Sequence, residues 1–175
     1  IKRIDEVTGG ALKAVIAEIK DAYSLKRRKL ILVGGVPGAG KTYVGLQVAH
    51  EHFLDDLSEV MESGAKPTAP AVFLSGNKPL VEVLQYEMRQ AGGDGKVFVQ
   101  NVKSFVEKYS SRKHSSPPHH VMIFDEAQRA WDAERVQAKH GDPLAVSEPE
   151  SFVQFAGRVP GWSAVIALIG EGQEI

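Results

Sequence analysis

Apolar residues along this chain fall into two kinds of pattern. Unbroken runs of strand length occur at Leu30-Ile31-Leu32-Val33, Ala71-Val72-Phe73-Leu74, Val97-Phe98-Val99, Val121-Met122-Ile123-Phe124 and Ala164 to Ile169. They predict strands, and the Val121 to Phe124 run predicts one buried on both faces. Between them the spacing becomes helical. Leu12, Val15, Ile16 and Ile19 predict an amphipathic first helix, with Thr8 as a cap ahead of Gly9-Gly10. Val44 and Val48 predict a helix from about Lys41 to Phe53. Leu80, Leu84 and Met88 predict another, opened by Pro79 and closed near Ala91-Gly92-Gly93. Val102, Phe105 and Val106 mark a helix after the third strand, and Arg129, Trp131 and Arg135 continue one after the fourth. The capping box Ser147-Glu148-Pro149-Glu150 opens a helix through Phe152 and Phe155 to Gly157. Asp55 to Pro70 and Lys139 to Ala145 read as connections, and Ser110 to His120 as an exposed basic loop.

Composition narrows the classes without choosing among them. With 43% apolar and 25% charged residues, the chain is an ordinary soluble domain, and at 175 residues it fits one domain. A net charge of −1 neither requires nor excludes nucleic acid, because binding needs a local basic face. Lys26-Arg27-Arg28-Lys29 is one such cluster, readable as a phosphate contact or as a solvated strand entrance. The absence of cysteine excludes a disulfide framework and a thiolate zinc site, and fits the cytoplasm. No apolar run is long enough for a membrane span. The chain opens on Ile1 and stops at Ile175 directly after a motif, so it reads as a piece of a longer protein.

The chemistry concentrates at strand ends. Gly35-Val36-Pro37-Gly38-Ala39-Gly40-Lys41-Thr42 fits GxxxxGK[ST] and lies between the first strand and the helix opening at Lys41-Thr42-Tyr43. Glycines let successive N–H groups converge on an anion at the positive end of the helix. Pro37 has no N–H, so the donors are Gly38 through Thr42. Lys41 is placed for the terminal phosphates and the Thr42 hydroxyl for Mg²⁺. Asp125-Glu126-Ala127-Gln128 ends the fourth strand. There Asp125 can orient the metal, and Glu126 can deprotonate an attacking water as general base. Gly170-Glu171-Gly172-Gln173 ends the last strand, where the Gln173 amide can meet a γ-phosphate or the water. Ser75, Asn77 and Lys78, at the end of the second strand, sit where open α/β sheets place ligands; a capped loop explains them equally well. The two histidines of His50-Glu51-His52 point to different faces of a helix and read as surface.

Gly35 to Thr42, Leu74 to Pro79, Asp125 to Gln128 and Gly170 to Gln173 fall in the order of motifs I, Ia, II and III of superfamily 1 helicases, and the chain resembles the first RecA-like domain of such an enzyme. Through Asp-Glu-Ala-Gln-Arg and Leu-Ile-Gly-Glu-Gly-Gln-Glu-Ile it is more closely similar to a bacterial and phage family of DNA/RNA helicases of unknown function, related to the ATPase region of Schlafen proteins. The resemblance implies a three-layer α/β/α P-loop NTPase domain over residues 29–175. Its central sheet is mainly parallel, with the motif III strand between those of motifs I and II, and residues 1–28 form a helix packed on it. It implies ATP and Mg²⁺ as cofactors, and a nucleotide site of Gly35, Pro37, Gly38, Ala39, Gly40, Lys41, Thr42 and Tyr43. Thr42 and Asp125 would hold the metal, Glu126 would activate water, and Gln173 would sense the γ-phosphate. Ser75, Asn77 and Lys78 would line a track for single-stranded DNA or RNA. A second RecA-like domain would follow this one and bring the arginine finger, a residue worth roughly 10³ to 10⁵ in rate in comparable systems; without it, slow turnover is expected. Motif III carries Glu171 where many superfamily 1 enzymes have Asp, and no glutamine precedes Gln47 to read an adenine.

Two other functions compete. An AAA-like ATPase switch acting on protein partners would more often show an Asn or Thr sensor after the last core strand than Gly-x-Gly-Gln. A small-molecule phosphotransferase would need an acceptor other than water, whereas Glu126 directly after Asp125 favours water.

Overall fold

The computed structural model describes residues 2–50, 71–90, 95–110, 116–127 and 148–170. Helix α1 (Lys2–Ser24) precedes strand β1 (Arg28–Gly35) and helix α2 (Lys41–His50). Strand β2 (Ala71–Ser75) is followed by α3 (Lys78–Gln90), the single turn α4 (Gly95–Phe98), β3 (Val99–Asn101) and α5 (Val102–Ser110). Strand β4 (Val121–Phe124), α6 (Glu148–Arg158) and β5 (Ser163–Gly170) complete the described chain.

The five strands form one sheet in the order β1-β5-β4-β2-β3, and every pair is parallel. Strand β5, which carries the last motif, lies between β1 and β4, as the resemblance implied. Alternate residues of the inner strands feed two cores. Phe73, Ile123, Ile166 and Leu168 face α1, α2 and α3, while Leu74, Met122, Phe124, Val165 and Ala167 face α5 and α6. Burial on both faces explains why these strands read as unbroken apolar runs rather than alternating ones. The result is a three-layer α/β/α domain.

The outer strand β1 behaves differently, because its burial alternates. Ile31 and Val33 pack towards the first core, while Leu30 and Leu32 are each 58% exposed on the other face. The basic cluster at its start is largely structural. Arg28 donates from Nε to Ala156 O (3.2 Å) and from Nη2 to Val159 O (3.2 Å), tying β1 to the end of α6. Lys29 bridges Glu18 (2.6 Å) and Asp21 of α1, and the two carboxylates raise its pKa.

Three expectations need correction. Thr8 does not cap α1; the helix starts more than one turn earlier, and Thr8 is buried within it. The third strand is not Val97 to Val99. Val97 and Phe98 belong to the α4 turn, and β3 begins at Val99, where pairing with Phe73 of β2 sets the register. His119 and His120 are not in an exposed loop. His119 packs against the Phe105 ring at 5.9 Å, and His120 stacks on Trp162 at 4.7 Å, so both are buried. Predicted elements within 51–70, the connection and helix within 128–147 and the Ser147 cap lie outside the described residues.

Candidate nucleotide site

Parallel pairing brings the strand ends to one edge of the sheet. Gly35 is opposite Gly170, Leu74 opposite Phe124 and Ser75 opposite Asn101. Past Gly35 the chain must turn sharply into α2, and two glycines take the backbone there, Gly38 with φ 78° and Gly40 with φ 85°. That left-handed region favours glycine because a side chain would crowd the following carbonyl. The loop is closed by Ala39 N–H donating to Val36 O at 3.1 Å, and α2 opens with Val44 N–H donating to Gly40 O at 3.0 Å. Lys41 folds back over this loop, its Nζ donating to Gly35 O (2.6 Å) and Val36 O (3.0 Å). The loop thus positions an ammonium group against its own carbonyls at the mouth of a helix N-terminus.

Strand β4 delivers the acidic half. Asp125 N–H donates to Leu74 O at 2.9 Å, extending the ladder one residue past the strand, and the side chain is 5% exposed. Across the cleft the Thr42 hydroxyl donates to Asp125 Oδ1 at 3.2 Å, joining residues 83 positions apart. Burial pushes the Asp125 pKa up, the Thr42 hydrogen bond pulls it down, and the nearby Glu126 charge pushes it up again. At Glu126 the backbone turns left-handed, with φ 53°. A non-glycine residue held there is strained, and such strain collects where a side chain must be aimed. Glu126 accordingly lines a cleft of about 180 Å³ with Pro37, Gly38, Lys41, Thr42, Asp125, Leu168 and Gly170. This volume is below the roughly 300 Å³ at which sites for whole drug-sized ligands begin, and suits the charged tail of a ligand.

A family model described as Schlafen group 3, DNA/RNA helicase domain, matches residues 28–175, which is 148 of the 175 residues. The chain belongs to this family. No curated protein gives a significant match. The match begins at the first residue of β1 and leaves out α1, which nevertheless packs on β1 and α2 through Val15, Ile19 and Ala22.

Within this Schlafen-type helicase domain, the structure brings Pro37, Gly38, Lys41, Thr42, Asp125 and Glu126 into one cleft. Gly35, Ala39 and Gly40 frame the loop, and Tyr43 is exposed on the first turn of α2. Gln173 lies outside the described residues. Two lining residues escaped the sequence reading, Leu168 and Gly170, although Gly170 stands at the head of the last motif. Ser75 and Asn77 form a cap. The buried Ser75 Oγ accepts from Asn77 N–H at 3.2 Å, and Asn77 Oδ1 accepts from Leu80 N–H at 3.3 Å at the start of α3. Lys78 is exposed beside them. Asn101 caps α5 in the same way, accepting from Lys103 N–H at 3.0 Å and Ser104 N–H at 3.4 Å. None of the described helices is long and apolar enough to cross a membrane.

Proposed function

We propose that this helicase-family domain binds a nucleoside triphosphate, ATP above all, with Mg²⁺ and hydrolyses it, as the first motor domain of a DNA/RNA helicase or translocase. One observation carries the reading: the hydrogen bond from Thr42 Oγ1 to Asp125 Oδ1, 3.2 Å, which closes the lysine-bearing loop onto the acidic strand end.

The donor set fits Mg²⁺. A hydroxyl and a carboxylate are the hard oxygen ligands this ion takes, and two neighbours in an octahedron of about 2.1 Å bonds lie roughly 3.0 Å apart, near the observed spacing. A buried carboxylate with a raised pKa is also a group whose charged form a cation would stabilise. When bound, the ion would neutralise charge on the β- and γ-phosphate oxygens. Lys41 would leave Gly35 O and Val36 O for those same oxygens, and the N–H groups from Gly38 to Thr42, apart from that of Ala39, which is held by Val36 O, would bind the chain of phosphates. Glu126 would take a proton from a water whose oxygen bonds to the γ-phosphorus as the bond to the β,γ-bridging oxygen breaks. Gln173 would read the γ-phosphate from the end of β5.

Single-stranded DNA or RNA would run along the same sheet edge, with Lys78 touching phosphate and Ser75 and Asn77 holding its loop in shape. A second RecA-like domain would complete the site with an arginine. The test is ATP turnover of the longest native chain with and without single strands, in Mg²⁺ and in EDTA. Metal-dependent turnover raised by single strands is the expected result; turnover indifferent to every strand tested would refute the motor assignment. Nucleotide-driven ring assembly would favour the protein-remodelling alternative.

A further inference from the structure

Helix α2 carries Lys41 and Thr42, so its height above the sheet decides where their side chains end. The residue that sets this height is Gly45, one turn after Thr42 and on the same side of the helix. A Cβ placed on Gly45 would lie 2.8 Å from Leu168 Cδ1 on β5, 2.9 Å from Ile123 Cγ2 on β4 and 3.0 Å from Phe73 Cε2 on β2. Ordinary contact starts at about 3.4 Å, so the tightest of these is about 0.6 Å too short. Leu168 borders the cleft and can turn its side-chain end, but Ile123 and Phe73 have no room to withdraw. Leu168 is 1% exposed and the other two are fully buried, and Ile123 is β-branched on a central strand. The three contacts also sit directly beneath the cleft, since Ile123 is two residues before Asp125 and Leu168 two before Gly170.

We infer that Gly45 is a positioning residue for the nucleotide site: its missing side chain seats α2 deep enough on the sheet for the Thr42 hydroxyl to meet Asp125. Lifting the helix by about 0.6 Å would stretch their 3.2 Å hydrogen bond past hydrogen-bonding reach and separate the two oxygens that would share the metal. The N–H groups of the loop's last residues and Lys41 lie at the leading end of the helix and do not depend on the Thr42 contact with Asp125, so metal-free nucleotide binding is expected to change little. The inference rests on the proposed Mg²⁺-nucleotide reading.

The experiment measures binding, not turnover: affinity for a fluorescent ATP analogue in EDTA and across a Mg²⁺ titration, for wild type, Gly45→Ala, Leu168→Ala and Gly45→Ala/Leu168→Ala. Gly45→Ala is expected to bind within about twofold of wild type in EDTA and to need about tenfold more Mg²⁺ for half-maximal tightening. Leu168→Ala removes one obstructing atom and leaves Ile123 Cγ2 at 2.9 Å, so the double variant is still expected to need severalfold more Mg²⁺ than Leu168→Ala alone, a comparison that cancels any effect of Leu168 on the cleft. If Gly45→Ala does not fold by itself, that comparison decides: a raised Mg²⁺ midpoint supports the role, and an equal one overturns it. A folded Gly45→Ala that melts earlier yet keeps the wild-type Mg²⁺ midpoint makes Gly45 a packing residue only and overturns the inference, with the site reading intact. A wild type that binds no nucleotide in Mg²⁺ overturns both.

Discussion

Acid should weaken this domain through one buried side chain, His119. It is 4% exposed against the Phe105 ring, and its Nδ1 has no hydrogen-bond partner among the described residues. Burial pushes its pKa from the ordinary 6.5 down to about 4, and the charges of Lys108 and His120 add to the effect. Because the folded value is the lower one, the unfolded chain takes up the proton first. Stability is therefore full above the unfolded pKa of 6.5 and falls as pH drops towards 4. At roughly 1.36 kcal/mol per unit the whole window is worth on the order of 3 kcal/mol, and about 2 kcal/mol of it falls between about pH 7 and pH 5. For a chain of this size that is roughly 4–8 °C in Tm. The assay is thermal and urea unfolding of wild type and His119→Leu across this range, since carboxylates common to both cancel in the difference. The variant should lose about 2 kcal/mol less than wild type on acidification. Identical pH slopes would show that His119 is solvated or already paired, and the reasoning would fail.

The site makes its own predictions. Lys41→Ala should weaken nucleotide binding about 100-fold, the loss expected for one or two hydrogen bonds to charged phosphate at about 1.5–3 kcal/mol each; isothermal titration would show it, and an unchanged Kd would remove Lys41 from the site. Glu126→Gln should bind within about threefold of wild type and turn over roughly 10² to 10⁴ times more slowly, in single-turnover measurements of the longest native chain. Equal loss of binding in both variants would refute the division of roles. Asp125→Asn should raise the Tm of the metal-free chain at neutral pH. The folded pKa of Asp125 is raised, so its contribution is fully present below the unfolded pKa and is lost as pH rises through the folded one; the amide keeps the Thr42 hydrogen bond without the buried charge. The same variant should lose the Mg²⁺-dependent gain in nucleotide affinity, and a lower Tm would argue against burial as the dominant cause.

Much of this was open to inspection in the linear chain. An unbroken apolar run predicts a strand because a central parallel strand is covered on both faces, and the four residues Val121 to Phe124 are indeed all buried. The glycine loop was legible because its backbone demands are local, as Gly38 and Gly40 show by taking positive φ. Errors came where distant packing overrode local signals. Thr8 looks like a cap but is buried inside a helix, and β3 starts two residues late because Phe73 fixes its partner. His119 and His120 sit in a polar, proline-rich stretch, yet aromatic partners from α5 and from before β5 draw them inside.

By itself the sequence determined which residues carry charge, oxygen and backbone freedom, because GxxxxGK[ST] and Asp-Glu after apolar runs are patterns of neighbouring positions. Only the tertiary structure decided that the two patterns meet. The distance between Thr42 and Asp125 depends on strand order and on how closely α2 lies against β2, β4 and β5. That closeness is set by the missing side chain of Gly45, whose neighbours Phe73, Ile123 and Leu168 come from three separate parts of the chain.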